Sequence, residues 1–313
     1  MTVKAQPTSD QDHRLRRLAT YASATVATIL IAAKLAAFLF TNSVAVLSSL
    51  LDSTMDLIAS LVTVFGVASA LRPPDHDHRY GHGKAEPLAA LAQSAFIAGS
   101  SVLLIYQAAS RLYHPEPVRD EKFGYGVMAL AIVFTVVLVM FQNHVVRRTR
   151  STAIGADQIH YVGDLAVNMG VALSFALYSW TGIEWLDPVF AILIAVGLSI
   201  SAFRIAVKAL HLLMDRELPD ADREKIKIIA SSRPEVRGLH DLRTRSDGER
   251  VFIEFHLELD GNMSLKTAHH IDEAITDDIL KSFPNADILI HQDPAGIEEP
   301  RLDEQIEVGA LRK

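Results

Sequence analysis

Residues 44–71 read VAVLSSLLDSTMDLIASLVTVFGVASAL, a long apolar run that two aspartates interrupt. A helix needs about 20 mostly apolar residues to cross a bilayer, so this run predicts a membrane span. Five further windows of the same kind lie at 19–40, 88–112, 124–146, 157–180 and 188–212. The sequence therefore predicts six transmembrane helices, and an even number places both termini on one side of the membrane.

The composition of the 313 residues excludes several classes of function. Half of the residues are apolar and 21% are charged, which is too apolar for a disordered chain. The net charge of −7 provides no basic field for a nucleic-acid backbone, so we expect no nucleic-acid partner. Because the chain has no cysteine, any metal chemistry must use its 13 histidines and its carboxylates.

Basic residues in the short loops predict the orientation, because Lys and Arg resist translocation across the membrane. They precede the first span, lie between the second and third spans, and follow the fourth: Arg14, Arg16, Arg17, Arg72, Arg79, Lys84, Arg147, Arg148 and Arg150. We therefore expect these loops and both termini in the cytoplasm, and the loops at 41–43, 113–123 and 181–187 outside.

The last hundred residues have the pattern of a soluble domain. The sequence predicts a helix from about 220 to 232, a strand from about 239, a turn at Ser246-Asp247-Gly248, and a strand at 251–259. An amphipathic helix at 264–283 and a strand at 287–291 complete an α-β-β-α-β order, which is typical of an α+β domain. The predicted organisation is a cytoplasmic segment (1–18), a six-helix membrane domain (19–212), a cytoplasmic domain (213–295) and a disordered tail (296–313).

Ionisable residues inside the spans are the strongest functional signal, since each is costly in hydrocarbon. Asp52 and Asp56 share one face of the second span, and His160 and Asp164 share one face of the fifth. Three carboxylates and one imidazole match the ligands of a four-coordinate divalent ion such as zinc. The alternative is a structural polar contact or the lining of a water-filled vestibule. Lys34 lies near the outer end of the first span and is interpreted as a structural residue that reaches the headgroups.

Two further histidine clusters lie outside the spans. In the loop after the second span, a helical turn would place His78 and His82 on one side, with Asp75 or Asp77 completing a metal site. A solvated polar loop would have the same composition. The soluble segment contains His240, His256, His269, His291 and Asp293, which either converge on metal or are ordinary surface residues.

These motifs together resemble the cation diffusion facilitator family, and specifically its bacterial zinc/iron efflux branch. The resemblance covers nearly the whole chain. It rests on the Asp-x3-Asp of the second span, the His-x3-Asp of the fifth, and four runs of sequence: Gly81-His-Gly-Lys-Ala-Glu86, Leu213-Met-Asp-Arg216, His240-Asp-Leu-Arg-Thr-Arg245 and Ile290-His-Gln-Asp-Pro294.

The resemblance implies a role for each cluster. Asp52, Asp56, His160 and Asp164 match a tetrahedral transport site that opens to each side of the membrane in turn. Asp75, His78 and His82 match a loop site that varies among members. The residues of the soluble segment match a two-metal site at a dimer interface, in a metallochaperone-like domain: His240, His256, His269, His291 and Asp293. Lys84 and Asp215 match a charge interlock at the membrane-to-cytoplasm hinge.

The sequence therefore predicts a homodimeric secondary transporter, not an enzyme, in the bacterial inner membrane. Its cargo is expected to be Zn2+, with Fe2+ or Cd2+ as alternatives, exchanged for protons, and Zn2+ is also expected to regulate it. One rival is a membrane-anchored metal sensor that transports nothing, although an anchor has no need of buried carboxylates. The other is a membrane-embedded metal hydrolase, for which no span supplies a His-Glu-x-x-His motif.

Overall fold

The computed structural model describes residues 10–41, 44–113, 122–181, 183, 185–297 and 301–311. The chain divides into two units, one from Ser9 to His211 and the other containing everything from Leu212 onward. The start of the predicted N-terminal segment, parts of the three predicted outer loops and parts of the predicted tail lie outside the described residues.

The first unit is a bundle of six long helices. They are α1 (Asp10–Thr41), α2 (Val44–Ala70), α3 (Ala85–Tyr113), α4 (Lys122–Thr149), α5 (Thr152–Thr181) and α6 (Leu186–Leu213), the last of which runs two residues into the second unit. Within the described residues, five of them are long and apolar enough to cross a membrane. The sixth, α5, carries Asp157, His160 and Asp164 and packs against α2, α3 and α4. The predicted fold, a helical membrane domain followed by an α+β domain, is confirmed.

The bundle has small and polar residues inside and large apolar residues outside. Leu39, Phe65 and Phe203 are among the many large exposed side chains, whereas alanines, serines and two glutamines fill the interior. Small residues allow helix backbones to approach closely in lipid. Gly66 of α2 lies so near α3 that an added Cβ would collide with the Cβ of Ala89. The outer surface is therefore suited to acyl chains and the interior to polar contacts.

The loop between α2 and α3 is irregular over residues 71–84. A helical turn there, which the His78/His82 spacing suggested, is therefore wrong. The paired prolines at 73 and 74 disfavour helix at this point, since proline lacks the N–H that the helix needs. Short side-chain contacts organise the loop instead.

The second unit is a three-stranded sheet with two helices packed on it. Its first five elements are α7 (Asp220–Ala230), β1 (Gly238–Ser246), β2 (Val251–Leu259), α8 (Leu265–Ser282) and β3 (Ala286–Pro294). Strand β2 is central, antiparallel to β1 and parallel to β3. The predicted turn joins β1 to β2, and Gly248 supplies its positive φ of 101°. The core contains Ile226, Ile253, Phe255, Leu257, Ile275 and Ile279.

Strand register aligns three histidines in this sheet. His240 of β1 pairs with His256 of β2, and His256 pairs with His291 of β3. A bulge follows His240, where the register shifts before Arg243 and Asp241 takes a φ of 52°. The three imidazoles therefore form one row across the sheet, which we call the histidine row.

The C-terminal segment differs from the sequence prediction, because residues 302–311 form a helix, α9 (Leu302–Leu311), and not a disordered tail. The Asp241 carboxylate accepts hydrogen bonds from the backbone N–H groups of Leu302 and Asp303 at 2.9 and 3.0 Å. It caps the helix from a position about sixty residues away in the chain, a tertiary contact that local sequence patterns cannot reveal.

Candidate metal centres

The first candidate centre lies within the bundle, where α2 meets α5. His160 Nε2 is 3.1 Å from Asp56 Oδ1 and 3.8 Å from Asp164 Oδ2. One ligand atom from each of the three residues lies within 4.8 Å of the others. The His160 side chain is only 9% exposed, whereas that of Asp164 is 40% exposed. Two carboxylates and an imidazole thus converge on one partly accessible point, which we call the bundle cluster.

Asp52, the fourth predicted ligand, is not part of the bundle cluster. It lies one turn before Asp56 on α2 and is exposed. Lys34, interpreted as reaching the headgroups, turns instead towards α2. Its Nζ donates to Ser53 Oγ at 2.6 Å and to the Ser49 carbonyl at 3.1 Å. An ammonium group thus lies against the helix that carries both aspartates, beside the residue that follows Asp52.

The second candidate centre is the loop cluster of Asp75, His78 and His82. Asp75 accepts hydrogen bonds from the backbone N–H groups of His78 and Asp77 at 2.7 and 3.0 Å. Hydrogen bonds from these backbone donors hold the pKa of Asp75 below its ordinary value, and the one from His78 contributes most. His78 and His82 each place a ring nitrogen 3.3 Å from this carboxylate. Asp77, the alternative ligand, contributes only its backbone.

The third candidate centre belongs to the second unit and lies on its sheet. His256 Nδ1 is 2.8 Å from Asp293 Oδ2, and His240 Nε2 is 3.5 Å from the same oxygen. These three residues, one from each strand, form the sheet cluster. His291 completes the histidine row, with Nε2 3.1 Å from the other Asp293 oxygen, and its side chain is 65% exposed. Asp293 therefore contacts all three imidazoles of the row.

His269 is the one predicted residue of this set that the single chain does not bring to the sheet cluster. It lies on α8 with its side chain 58% exposed, and Nε2 is 3.5 Å from Glu273 Oε1. An exposed imidazole on a helix is accessible to a second chain. The predicted two-metal site at a dimer interface would require His269 in such a position.

Sequence reasoning missed a carboxylate at the edge of the sheet cluster. Glu258 Oε1 is 3.2 Å from His240 Nδ1 and accepts a hydrogen bond from Arg301 Nη2 at 2.7 Å. Glu258 packs over Gly238, its partner across the hairpin, where a Cβ would lie 2.8 Å from the carboxylate. The signal was present in the sequence, since Glu258 is two residues from His256 and so faces the same side of β2.

Asp157 was also missed, although it precedes His160 by one helical turn. It is 1% exposed and lies among polar side chains of α1, α3 and α4. The spacing Asp-x2-His-x3-Asp would have placed it on the same side of the helix as the bundle cluster.

The predicted interlock of Lys84 with Asp215 remains a prediction, since the two residues belong to different units. Asp215 has a φ of 55°, and its Oδ1 is 3.6 Å from Arg245 Nη1 within the second unit.

Comparisons with known proteins cover both units. Residues 20–214 match the pattern described as the cation efflux transmembrane domain, and residues 218–295 match the cytoplasmic domain of cation efflux proteins. The cation-efflux pump FieF of Shewanella oneidensis is 46% identical over 284 residues, which cover 90% of this chain and 95% of that protein. FieF of Cronobacter sakazakii is 44% identical, with 91% and 94% covered.

Among solved structures, the metal-bound C-terminal domain of the CzcD transporter from Thermotoga maritima aligns at 34% identity and a TM-score of 0.25. That alignment covers 25% of this chain and 93% of the other.

Proposed function

Because this chain belongs to the cation efflux family, also called the cation diffusion facilitator family, we propose that it exports Zn2+ from the cytoplasm in exchange for protons. Fe2+ and Cd2+ are the alternative cargoes. The observation that carries the proposal is the bundle cluster, in which Asp56, His160 and Asp164 converge inside a membrane domain. Intramembrane carboxylates and histidines mark ion pathways, and this set matches the oxygen and nitrogen ligands of zinc.

Ligand chemistry provides the coupling between metal and protons. Zinc needs a neutral imidazole and ionised carboxylates, so protons and metal compete for the same atoms. In the metal-free cluster, a proton on His160 Nε2 would face both carboxylates, since this nitrogen is 3.1 Å from Asp56 Oδ1 and 3.8 Å from Asp164 Oδ2. Metal entering from the cytoplasm displaces this proton, and protons entering from the outside displace the metal. Asp52 is proposed as the fourth ligand, brought in when metal binds.

The proposed transporter works as a homodimer regulated by cytoplasmic metal. The sheet cluster, together with His291 and with His269, supplies two zinc sites between the protomers. Bound zinc would neutralise the carboxylates of Asp293 and Glu258, which otherwise repel those of a second chain. The loop cluster is proposed as a peripheral site whose loss alters the rate without removing the bundle site.

The proposed location is the bacterial inner membrane with both termini in the cytoplasm. Basic residues in the loops after α2 and α4 favour that orientation. The proposed interlock of Lys84 with Asp215 would join the membrane domain to the cytoplasmic domain, so that metal binding in one biases the other.

A metal sensor that transports nothing is the second candidate, favoured by the presence of a well-formed cluster on the sheet. A membrane-embedded hydrolase is a weaker rival, because four protein ligands would leave zinc no open position for water. Only the transporter predicts movement of metal across a membrane.

The test is zinc flux into sealed vesicles that contain the purified full chain, driven by a pH gradient. We expect zinc to accumulate with the parent chain and not with Asp164→Asn, which removes one charged ligand and keeps the side-chain shape. Asp187→Asn is the matched control, since Asp187 lies in the first turn of α6 and contacts Arg111 and Ser174, which are not part of the cluster. Zinc bound by the parent without any accumulation would favour the sensor.

A further inference from the structure

A buried polar cluster lies in the bundle beside the metal ligands and shares none of them. Asp157 of α5 accepts hydrogen bonds from Gln93 Nε2 of α3 at 3.2 Å and from Gln142 Nε2 of α4 at 2.7 Å. It also accepts a short hydrogen bond from Ser23 Oγ of α1. Asp157 is 1% exposed, and its three partners are fully buried. Four helices therefore meet at one carboxylate, which we call the Asp157 cluster.

The charge of this carboxylate has no direct counterion in the cluster. Its donors are a serine and two glutamines, all uncharged. A buried charge without an ion-pair partner is expensive in a membrane domain, where polar groups are retained for function. Hydrogen bonding alone makes the ionised form tolerable, and neutralisation by a bound proton would remove the penalty.

Two buried oxygens in the same cluster lack a hydrogen-bond donor. Gln93 Oε1 and Gln142 Oε1 are both buried and both without a partner, although each amide nitrogen is used. An unsatisfied buried acceptor is destabilising, so native structures rarely keep one. A proton on Asp157 supplies a donor for one of these two oxygens, because the acid O–H can donate to one amide oxygen after that amide rotates. The cluster can thus satisfy both the ionised and the protonated carboxylate.

The surroundings link this carboxylate to the metal ligands. The charged groups near it include His160 and Asp164 on α5 and Asp56 on α2, whereas its direct hydrogen-bond partners on α1, α3 and α4 are uncharged. Tyr161 shares a hydrogen bond with Ser60 of α2 at 2.9 Å and donates to the Ser23 carbonyl at 3.4 Å. The charge of Asp157 therefore acts on the bundle cluster. Hydrogen bonds of Ser23 and Tyr161 also connect Asp157 to α2, the helix that carries Asp56.

We propose that Asp157 is a proton-binding site of this transporter, distinct from the metal ligands, which takes up one proton as metal leaves the bundle cluster and releases it as metal returns. The inference rests on the proposed proton exchange. Burial away from water favours the protonated form while the bundle cluster is free of metal. A divalent cation bound there offsets the charge of the carboxylate ligands and favours the ionised form.

The test compares the parent chain with Asp157→Asn in vesicles, measuring zinc accumulation at several pH gradients together with the protons moved per zinc. Asparagine keeps the shape of the side chain and cannot take up a proton. Each coupled proton multiplies the attainable zinc ratio about tenfold per pH unit, since one unit corresponds to about 1.4 kcal/mol. We expect Asp157→Asn to lose about that factor and to bind zinc with a weaker dependence on pH than the parent, since coupling between proton and metal acts in both directions.

The possible outcomes separate the two proposals. If the parent shows no pH-driven zinc flux, the proposed function fails and this inference fails with it. If the parent is coupled and Asp157→Asn has the same proton-to-zinc ratio, only this inference is overturned. Infrared difference spectra of the full chain provide a readout that does not depend on transport. A protonated-carboxyl band should disappear on zinc binding in the parent and be absent from Asp157→Asn.

Two further variants keep the test decisive. Asp157→Glu retains the titratable group and should preserve the proton-to-zinc ratio, even at a lower rate. If Asp157→Asn fails to fold, Asp157→Glu must still show the zinc-sensitive carboxyl band, shifted relative to the parent. A band unmoved by the change from Asp to Glu would belong to another residue and would overturn the assignment.

Discussion

The bundle and the cytoplasmic domain both bring histidine together with carboxylates, but through different levels of structure. In the bundle, His160 and Asp164 are one helical turn apart on α5 and meet Asp56 of a neighbouring helix. In the domain, the ligands come one from each of three strands, and register brings them together. Helical spacing can be read along a sequence, whereas register depends on how distant segments pair. The first cluster is therefore more visible to sequence analysis than the second.

The largest expected effect is the loss of a bundle ligand. Asp56→Asn should reduce zinc flux by at least about 100-fold, because even the partners that orient metal ligands are typically worth 10–100-fold. Flux into vesicles and zinc titration of the purified chain measure this, with Asp187→Asn as control. Unchanged flux in Asp56→Asn would remove the bundle cluster from the transport path.

The second effect concerns which metal the bundle accepts. His160→Asp replaces the imidazole with a carboxylate and produces an all-oxygen site, so selectivity should move from Zn2+ towards harder ions such as Mn2+. Competition flux with both metals measures the change. The same ranking of metals in parent and variant would mean that ligand hardness does not choose the cargo.

Metal bound at the sheet cluster should change zinc flux through coupling to the bundle cluster, and the sheet cluster should not itself carry the transported metal. His240→Ala combined with His256→Ala should lower flux at low zinc by about 5- to 150-fold, the usual range for coupling of 1–3 kcal/mol between sites. Flux at saturating zinc should change less, because the bundle ligands are intact. Normal flux at every zinc concentration would leave the cytoplasmic domain a passive scaffold.

The two aspartates of α2 should differ in importance. Asp52 is exposed and outside the described bundle cluster, and it must be brought in to become the fourth ligand. Because that movement costs part of the binding free energy, Asp52→Asn should reduce zinc affinity by only about tenfold, less than Asp56→Asn. Zinc titration of both variants gives the comparison, and equal losses would show that Asp52 joins the site without such a cost.

The smallest effect is a pH-dependent contribution to the stability of the domain. The pKa of Asp278 lies below its ordinary value of 3.8, because Lys281 and Arg233 donate hydrogen bonds to it. A lowered pKa in the folded state contributes stability above the ordinary value, which is lost as the pH falls through the folded value. Arg233→Ala should therefore destabilise the domain slightly at neutral pH, and the difference should shrink in acid, where the hydrogen bond of Arg233 to the Ala274 carbonyl remains. Thermal unfolding of the full chain at neutral and acidic pH measures this, and a difference that does not shrink in acid would contradict it.

Much of the fold follows from local sequence patterns. The features that the sequence did not predict depend on tertiary contacts. Apolar length predicted the six helices of the bundle, and alternation in residues 251–259 predicted β2. Helix α9 was missed because Asp241, far away in the chain, caps it. The orientation of Lys34 was missed because a serine of the next helix, not the headgroup layer, receives its ammonium group.

The same division applies to the sites. Asp56, His160 and Asp164 were identified because charges are conspicuous in an apolar window. Glu258 and Asp241 are charged residues in a charged domain, so nothing in the local sequence separates them from surface residues. Asp157 lies at the edge of its apolar window, where a carboxylate is ordinary, and only the packing of four helices shows that it is buried.

The histidine row has a consequence for how this domain tolerates changes in length. Its members are fixed by pairing between β1, β2 and β3, so the residues that join the strands do not set the distances between them. Insertions in the turn at 247–250, or in the connection from 260 to 285, can leave the row intact if the strands keep their register. A single residue inserted within β2 before His256 would instead turn that imidazole to the opposite face of the sheet. Length variation among related domains should accordingly fall between the strands and spare their interiors.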